Sequence, residues 1–276
     1  MTAAAGTGPR ERRSDVGRRR IDWGGNAAVA VYRVVLLLTI LLAWQFVAAS
    51  LVDPKWISRP TDIARALQGI WESGTLVSDV AATTLELVIG LLIGTLLGIT
   101  VALALGLNKT AADIFAPFIT LAYSFPQLAI APLYVLWFGI YTTPKIVLVT
   151  VVVFFIMFLN VFQGLNQVDD DLMNTLRVMG ARRRQVLRMV VLPSVLLFVS
   201  TGLKNAVPFG LRAAIFAEIL ISTKGLGHVL SGASELFDSA AMFAALALIM
   251  TIGVVLNVLV ELQDRYFSRW RPPPTM

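Results

Sequence analysis

Long apolar runs separated by short polar segments dominate the chain from about residue 30 onward. A helix needs about 20 mostly apolar residues to cross a bilayer. Six windows meet this requirement and predict spanning helices over residues 30–51, 84–107, 113–139, 145–164, 191–222 and 241–263. The first run exceeds the usual signal-peptide core of roughly 7 to 15 residues, so we expect it to be retained. The pattern therefore predicts an all-α, polytopic membrane protein.

The composition supports this class. The 276 residues are 57% hydrophobic and 14% charged, and their mean hydropathy is +0.77. A single soluble domain would need more polar surface than this. The sequence contains no cysteine and only one histidine, His228. A thiolate site and a multi-histidine metal site within one chain are therefore excluded.

The distribution of basic residues sets the expected orientation. With an internal N-terminus and six spans, 15 Lys and Arg residues fall in cytoplasmic segments and 5 fall outside. By the positive-inside rule, both termini and the polar segment around Gly180 are expected in the cytoplasm. The net charge of +6 is then explained largely by the basic residues that orient the chain in the membrane. We therefore do not expect nucleic-acid binding.

The same pattern divides the chain into four regions. Residues 1–25 are predicted to be a disordered basic arm, and residues 26–80 the first spanning helix with an external segment. Residues 81–268 form the predicted core, which includes a cytoplasmic loop over residues 168–190. Residues 269–276 are a C-terminal tail.

Prolines interrupt two of the predicted spans. The third contains Ser124, Pro126, Gln127 and Pro132, and the fifth contains Pro208. Proline removes a helical hydrogen bond, and free backbone groups at membrane depth are tolerated only against protein or water. These positions are therefore candidates for a translocation path, with a simple packing kink as the alternative.

The second span carries Gly90, Gly94 and Gly98 at intervals of four. This spacing places the glycines on nearly one helix face, where another backbone can approach closely. The partner could be a second subunit or another helix of the same chain. We favour the same chain, because five other helices are available.

Four ionisable residues lie within or near apolar runs: Glu86, Lys204, Arg212 and Glu218. Each would be costly in lipid and should face protein or water. One hypothesis is that Arg212 or Lys204 lines a path for an anionic substrate, while Glu218 forms a structural pair. The alternative is that these charges snorkel or pair only to fix helix packing.

The polar segment before the fifth span predicts a helix, a turn and a second helix. Asp169, Asp170 and Asp171 suit the N-terminus of a short helix over about 170–179. Gly180, with Ala181 as a small neighbour, permits a sharp turn. The second helix carries four arginines, at positions 182, 183, 184 and 188, and Pro193 fits the first turn of the next span.

This segment resembles the cytoplasmic coupling loop of binding-protein-dependent ABC importer permeases. That pattern has a glycine, nine residues, then Ile or Val, any residue, Leu and Pro, and Gly180, Val190, Leu192 and Pro193 match it. The resemblance covers about residues 80–268 and is strongest to the nitrate, sulfonate and taurine branch. Three further motifs carry it: Ala217-Glu218, Gly225-Leu226-Gly227 and the final Arg265-to-Trp270 segment. In the N-terminal third, Trp56 to Pro60 followed by Trp71 resembles the external segment of that branch.

One departure from the family pattern concerns charge. The family commonly has Glu-Ala-Ala where this chain has Asn174, Thr175 and Leu176. Any salt bridge made by that glutamate is therefore in doubt, and coupling would rest on the shape of the helix in its groove. The resemblance assigns ATPase coupling to nine residues: Asn174, Thr175, Leu176, Gly180, Ala181, Leu187, Val190, Leu192 and Pro193.

The resemblance implies a multi-pass permease of a bacterial plasma membrane, which acts with ABC ATPase subunits, an external solute-binding protein and a second permease copy. ATP and Mg²⁺ are expected on the ATPase, because this chain has no phosphate-binding loop. No catalytic residue set is recognisable, so no cofactor or covalent chemistry is expected here. The implied cargo is a small anion such as a sulfonate or nitrate, with neutral heterocycles as an alternative.

An ion-gradient-driven secondary transporter is the competing interpretation. It is weakened because no internal repeat is recognisable and only Glu86 and Glu218 could serve as coupling carboxylates. An intramembrane enzyme lacks a credible catalytic set.

Overall fold

The computed structural model describes residues 26–50, 53, 56–168, 173, 175–176 and 178–268. In these ranges ten α-helices are present: α1 Asn26–Ser50, α2 Pro60–Glu72, α3 Leu76–Gly106, α4 Lys109–Ser124, α5 Ala131–Phe138, α6 Thr142–Asn166, α7 Arg183–Val186, α8 Leu192–Ile221, α9 Leu226–Glu235 and α10 Ser239–Ser268. A 3₁₀ turn, Gln127–Ile130, precedes α5, and a π-helical turn, Leu187–Val191, joins α7 to α8. The described residues contain no strand, which confirms the all-α class.

The predicted number of spans is confirmed. Helices α1, α3, α6, α8 and α10 are each long and apolar enough to cross a membrane. The pair α4 and α5, which is bent by 72° at the break between them, gives a sixth span if the two helices cross the membrane together. Both the predicted basic arm, 1–25, and the predicted tail, 269–276, lie outside the described residues.

The centre of the bundle is the packing of α3 against α6 and of α6 against α8. The largest fully buried side chains there include Leu87, Leu148, Met157 and Phe158. Helix α10 packs on α8 and α9, and α2 lies against α10. Helix α1 lies at the periphery, where the edge of Trp44 meets the ring of Phe243 at a centroid distance of 5.6 Å.

The glycine face of α3 packs closely against α6. A Cβ added at Gly94 would lie 2.7 Å from the Thr150 carbonyl oxygen, and one at Gly98 would lie 2.7 Å from the Met157 Cβ. One at Gly90 would lie 2.5 Å from Val149. The glycines therefore pack against α6 of the same chain, as the sequence analysis favoured.

The predicted break at Pro208 is wrong. Helix α8 runs without interruption from Leu192 to Ile221, with Pro208 inside it. Proline still cannot donate to the carbonyl four residues earlier, that of Lys204. The neighbouring residues Ala206, Val207 and Gly210 are all buried, so packing on both sides of the proline holds the helix together.

Candidate translocation path and coupling segment

The interruption between α4 and α5 is present where the sequence predicts it. Phe125 has an extended conformation, which is the preference of a residue before proline. Pro126 then leads into the 3₁₀ turn that begins at Gln127. Ser124 and Pro126 are exposed, and the Ser124 hydroxyl donates to the Thr120 carbonyl at 2.8 Å. Of the residues predicted for the path, these two are therefore accessible, and Gln127 is half-buried.

A polar stripe runs along an exposed face of α8. Thr201, Asn205, Phe209 and Arg212 are all exposed and are spaced four, four and three residues apart, which places them on one helix face. The Arg212 guanidinium lies 5.0 Å from the centroid of the Phe209 ring. Arg212 is nine residues from the end of α8, or about 14 Å at 1.5 Å per residue. Such a face is unfavourable in lipid and should meet water or protein.

Lys204, the other candidate cation, is already paired. Its Nζ lies 2.5 Å from Oδ2 of Asp264 on α10. The hydroxyl of Ser200 donates to Oδ1 of the same carboxylate at 2.5 Å. Among the described residues, Arg212 has no carboxylate within salt-bridge distance. The sequence offered Lys204 and Arg212 as equal candidates for the path. In the structure Lys204 is paired with a carboxylate and Arg212 is not.

Glu218 lies fully inside the bundle, with 0% of its surface exposed. Its Oε1 accepts a hydrogen bond from the Thr83 hydroxyl at 2.7 Å, and its Oε2 accepts one from the Gly227 N–H at 2.7 Å. An added Cβ at Gly225 would overlap the Glu218 carboxylate. The two glycines of the Gly225-Leu226-Gly227 motif thus leave room for this carboxylate. Because Glu218 is enclosed, we assign it to the packing of α3, α8 and α9 rather than to an open path.

Two residues that the sequence analysis missed complete this buried polar network. Asp79 Oδ1 accepts from the Gly225 N–H at 2.9 Å, and the Thr83 hydroxyl accepts from the Leu226 N–H at 2.9 Å. Asp79, Thr83 and Glu86 recur at spacings of four and three, which puts them on one face of α3. A polar stripe at helical spacing in an apolar run was the signal available in the sequence.

Glu86 forms a buried ion pair with Lys145 of α6. Lys145 also donates to the Ser222 hydroxyl at 3.0 Å. Lys145 is one of the five basic residues that the orientation count assigns to the outside, and it begins the predicted span 145–164; its side chain is buried. The pair satisfies the expectation that a charge at membrane depth has a partner.

The segment around Gly180 contains the predicted turn. Gly180 has φ +82°, the left-handed region that favours glycine. The Met179 N–H donates to the Thr175 carbonyl at 3.0 Å, and the Ala181 N–H donates to the Leu176 carbonyl at 2.9 Å. The second bond closes a Schellman-type helix end. Asn174 and the predicted capping residues 169–171 lie outside the described residues.

In the part of the chain that the structure describes, no atom lies within 4 Å of an added Cβ at Gly180, so the turn projects away from the bundle. Thr175 is exposed, whereas Leu176, Ala181 and Leu187 are half-buried. A cavity of about 1250 Å³ lies between this segment and the ends of α3 and α6. The segment therefore contacts the bundle on one side and leaves the tip of the turn free.

The second helix of the segment continues directly into the fifth span. The Leu192 N–H donates to the Leu187 carbonyl, which is the i to i−5 bond of a π-helix. Val190 is buried, Leu192 is exposed, and Pro193 lies in the first turn of α8 as predicted. No loop separates α7 from α8, because the π-helical turn joins them directly.

These features define a polytopic membrane protein with a protruding turn at Gly180 and a polar face on a spanning helix. The family model for the binding-protein-dependent transport system inner membrane component matches residues 94–269. The chain belongs to this family.

Curated relatives match nearly the whole chain. The taurine transport system permease protein TauC of Escherichia coli (strain K12) is 30% identical over 260 residues, covering 91% of this chain and 94% of TauC. The putative aliphatic sulfonates transport permease protein SsuC of Bacillus subtilis (strain 168) is 25% identical, covering 97% of this chain and 96% of SsuC.

The fold also matches a solved structure. A chain of the inward-facing MetNI methionine ABC transporter aligns with a TM-score of 0.60 and 18% identity, covering 73% of this chain and 98% of that chain. The chain is thus an ABC transporter permease, and the secondary-transporter alternative is set aside. Its relatives are transport components of the inner membrane.

Proposed function

We propose that this permease forms the translocation path of an importer for a small organic anion, with a sulfonate as the favoured class. The observation that carries the proposal is Arg212, an exposed cation within a spanning helix that has no carboxylate partner among the described residues. A guanidinium presents planar donors that match an oxyanion. TauC and SsuC are named for the transport of taurine and aliphatic sulfonates, and both cargo types carry a sulfonate group.

A second permease copy would complete the path. Thr201, Asn205 and Arg212 are exposed in the single chain, so the path is only half enclosed. A polar face of this kind needs a polar counterpart or water across from it. The same face of a second copy, related by two-fold symmetry, would supply that counterpart. Ser124, Pro126 and Gln127 at the break between α4 and α5 are proposed to border the same path.

Two further partners are proposed. An ABC ATPase, which holds ATP and Mg²⁺, would bind the cytoplasmic turn at Gly180, and a solute-binding protein would deliver cargo outside. Both termini would lie in the cytoplasm, in accordance with the distribution of basic residues. ATP hydrolysis would occur only on the ATPase.

The proposed mechanism is alternating access, in which one continuous helical segment connects the cytoplasmic turn to the path. The helix from Arg183 to Arg212 spans about 44 Å at 1.5 Å per residue. Closure of the ATPases would shift the turn at Gly180 and tilt this segment. Arg212 would then face the outer and inner sides in turn, and the two states would differ in how they bind the anion.

Substitution of Arg212 tests the proposal. In the complex reconstituted in liposomes with its ATPase and binding protein, Arg212→Gln should lower taurine uptake at least tenfold, because one charge-assisted bond to the anion is lost. Arg65→Gln removes an exposed charge on α2 and should leave uptake unchanged. Arg212→Lys should retain partial uptake. Normal uptake by a correctly folded Arg212→Gln complex would refute the role of Arg212.

A further inference from the structure

Three buried carboxylates lie near one end of the bundle, where α3 and α6 begin, α8 ends and α9 begins. Asp79 and Glu86 belong to α3 and Glu218 belongs to α8, and none of them is more than 5% exposed. Among the described residues, Lys145 is the one buried basic side chain, and it is paired with Glu86. Three carboxylates therefore share one lysine.

Other charged residues do not neutralise this excess. Lys224 and His228 flank the first turn of α9, but both are exposed. In the described part of the chain, neither lies within salt-bridge distance of a carboxylate. The charged residues of α10 lie in its last three turns, toward the other end of α8 from Glu218: Glu261, Asp264 and Arg265. Asp79 and Glu218 are thus left without a basic partner.

The helix ends act differently on these two carboxylates. A helix N-terminus carries about half a positive charge, and a C-terminus carries about half a negative charge. Asp79 lies in the first turn of α3 and accepts the Gly225 N–H, at the start of α9, at 2.9 Å. Glu218 accepts the Gly227 N–H at 2.7 Å, but it lies in the last turn of its own helix, α8. Two helix N-termini therefore favour a charge on Asp79, whereas the C-terminus of α8 disfavours a charge on Glu218.

Glu86 adds a second reason for one carboxylate to be neutral. One of its oxygens is in the ion pair with Lys145, and the other, Oε2, is buried with no hydrogen-bond partner among the described residues. This carboxylate lies on the same face of α3 as Thr83, which contacts Glu218. An unpaired charge on Glu218 would add to an enclosed region that already holds an incompletely bonded carboxylate, and such charges are costly.

The contacts of Glu218 accommodate a neutral carboxylic acid. A protonated carboxyl group keeps an acceptor oxygen and gains one donor. Oε2 can still accept the Gly227 N–H, and an O–H on Oε1 can donate to the Thr83 hydroxyl oxygen, which is 2.7 Å away. That hydroxyl oxygen also accepts the Leu226 N–H at 2.9 Å. The contacts that join α9 to α3 and α8 are then retained without a buried unpaired charge.

We propose that Glu218 is a proton-binding site, which holds one proton in the folded protein at neutral pH and so fixes the first turn of α9 to α3 and α8. Loss of this proton would leave an unpaired charge on an enclosed side chain and would loosen α9. Gly225 and Gly227 close the site, since a Cβ added at either would overlap Glu218. The proton is therefore structural and lies outside the proposed path, and the inference does not depend on the cargo.

Two matched substitutions test which carboxylate holds the proton. Glu218→Gln should leave the melting temperature of the full-length permease unchanged at neutral pH. An amide also accepts from the Gly227 N–H and donates to Thr83. Glu86→Gln should lower the melting temperature, because Lys145 then lacks its counter-ion. A loss in Glu218→Gln as large as that in Glu86→Gln would overturn the proposal.

The pH dependence of stability gives a second readout. An exposed glutamate is ionised at neutral pH, so folding would take up one proton. The wild-type melting temperature should therefore fall from neutral to alkaline pH. This fall should be smaller in Glu218→Gln, whereas Glu72→Gln, at an exposed position on α2, should follow the wild type. Equal falls in Glu218→Gln and the wild type would contradict a proton on Glu218.

Infrared spectroscopy detects the proton itself. The difference between the wild-type and Glu218→Gln spectra at neutral pH should contain the C=O stretching band of a protonated carboxyl group. The difference between the wild-type and Glu72→Gln spectra should contain carboxylate bands instead. Carboxylate bands alone in the Glu218→Gln difference spectrum would show that Glu218 is ionised, and the proposal would fail.

Discussion

The contact between α3 and α6 gives a prediction whose magnitude follows from the distances between the two helices. In Gly94→Ala, the new Cβ would lie 2.7 Å from the Thr150 carbonyl oxygen and 2.8 Å from the Val153 Cβ. Ordinary contacts begin at about 3.4 Å, so the helices must separate by about 0.7 Å at this point. Neither neighbouring atom belongs to the end of a flexible side chain, so rotamer changes cannot relieve the overlap.

Overpacking of this kind costs about 1–3 kcal/mol. The gain in helix propensity from glycine to alanine, about 1 kcal/mol at most, offsets part of this cost. We therefore expect Gly94→Ala to be net destabilising by up to about 2 kcal/mol. Gly98→Ala should behave alike, because its Cβ would lie 2.7 Å from the Met157 Cβ and 2.9 Å from the Phe154 carbonyl oxygen. The double variant should cost less than the sum, since one separation relieves both contacts.

Thermal denaturation of the purified protein in detergent measures this effect. The fraction of protein that remains in the monodisperse chromatographic peak is recorded after heating to each temperature. Gly69→Ala is the matched control, because Gly69 lies in α2 and has no atom within 4 Å of its added Cβ. The control should melt at or above the wild-type temperature. If Gly94→Ala has the same melting temperature as Gly69→Ala, the close approach of α3 and α6 is refuted.

Three further predictions follow from other contacts. Lys145→Met leaves Glu86 buried without its ion-pair partner and should destabilise the protein by about 3–5 kcal/mol; adding Glu86→Gln should recover most of this loss, as measured by the same melting assay. Pro208→Ala restores a donor for the Lys204 carbonyl in a continuous helix and should not lower the melting temperature; a marked decrease would show that the proline shapes the helix. Gly180→Ala meets no atom of the described residues, so it should cost only about 1 kcal/mol of backbone strain in the isolated permease. In the ATPase complex, Gly180→Trp should abolish binding-protein-stimulated transport, and transport at the wild-type rate would contradict the coupling role.

Local features were predictable because they depend on nearby residues. The apolar runs gave six spans, Pro126 gave the break between α4 and α5, and Gly180 gave a left-handed turn. Each of these follows from backbone geometry or from the thickness of a bilayer. The interruption predicted at Pro208 was wrong, because the effect of this proline depends on packing against helices that are distant in the sequence.

Partners of the intramembrane charges required the tertiary structure. The sequence identified Glu86, Lys204 and Glu218 as residues that need partners, but not Lys145 and Asp264, which lie 59 and 60 residues from the residues they pair with. In lipid almost every helix face is apolar, so hydrophobic periodicity says little about which face meets which helix. By itself the sequence determined the spans, the family and the position of the turn at Gly180. Only the packing of α3, α6, α8 and α10 decided that Lys204 is neutralised by a neighbour while Arg212 is left facing the proposed path.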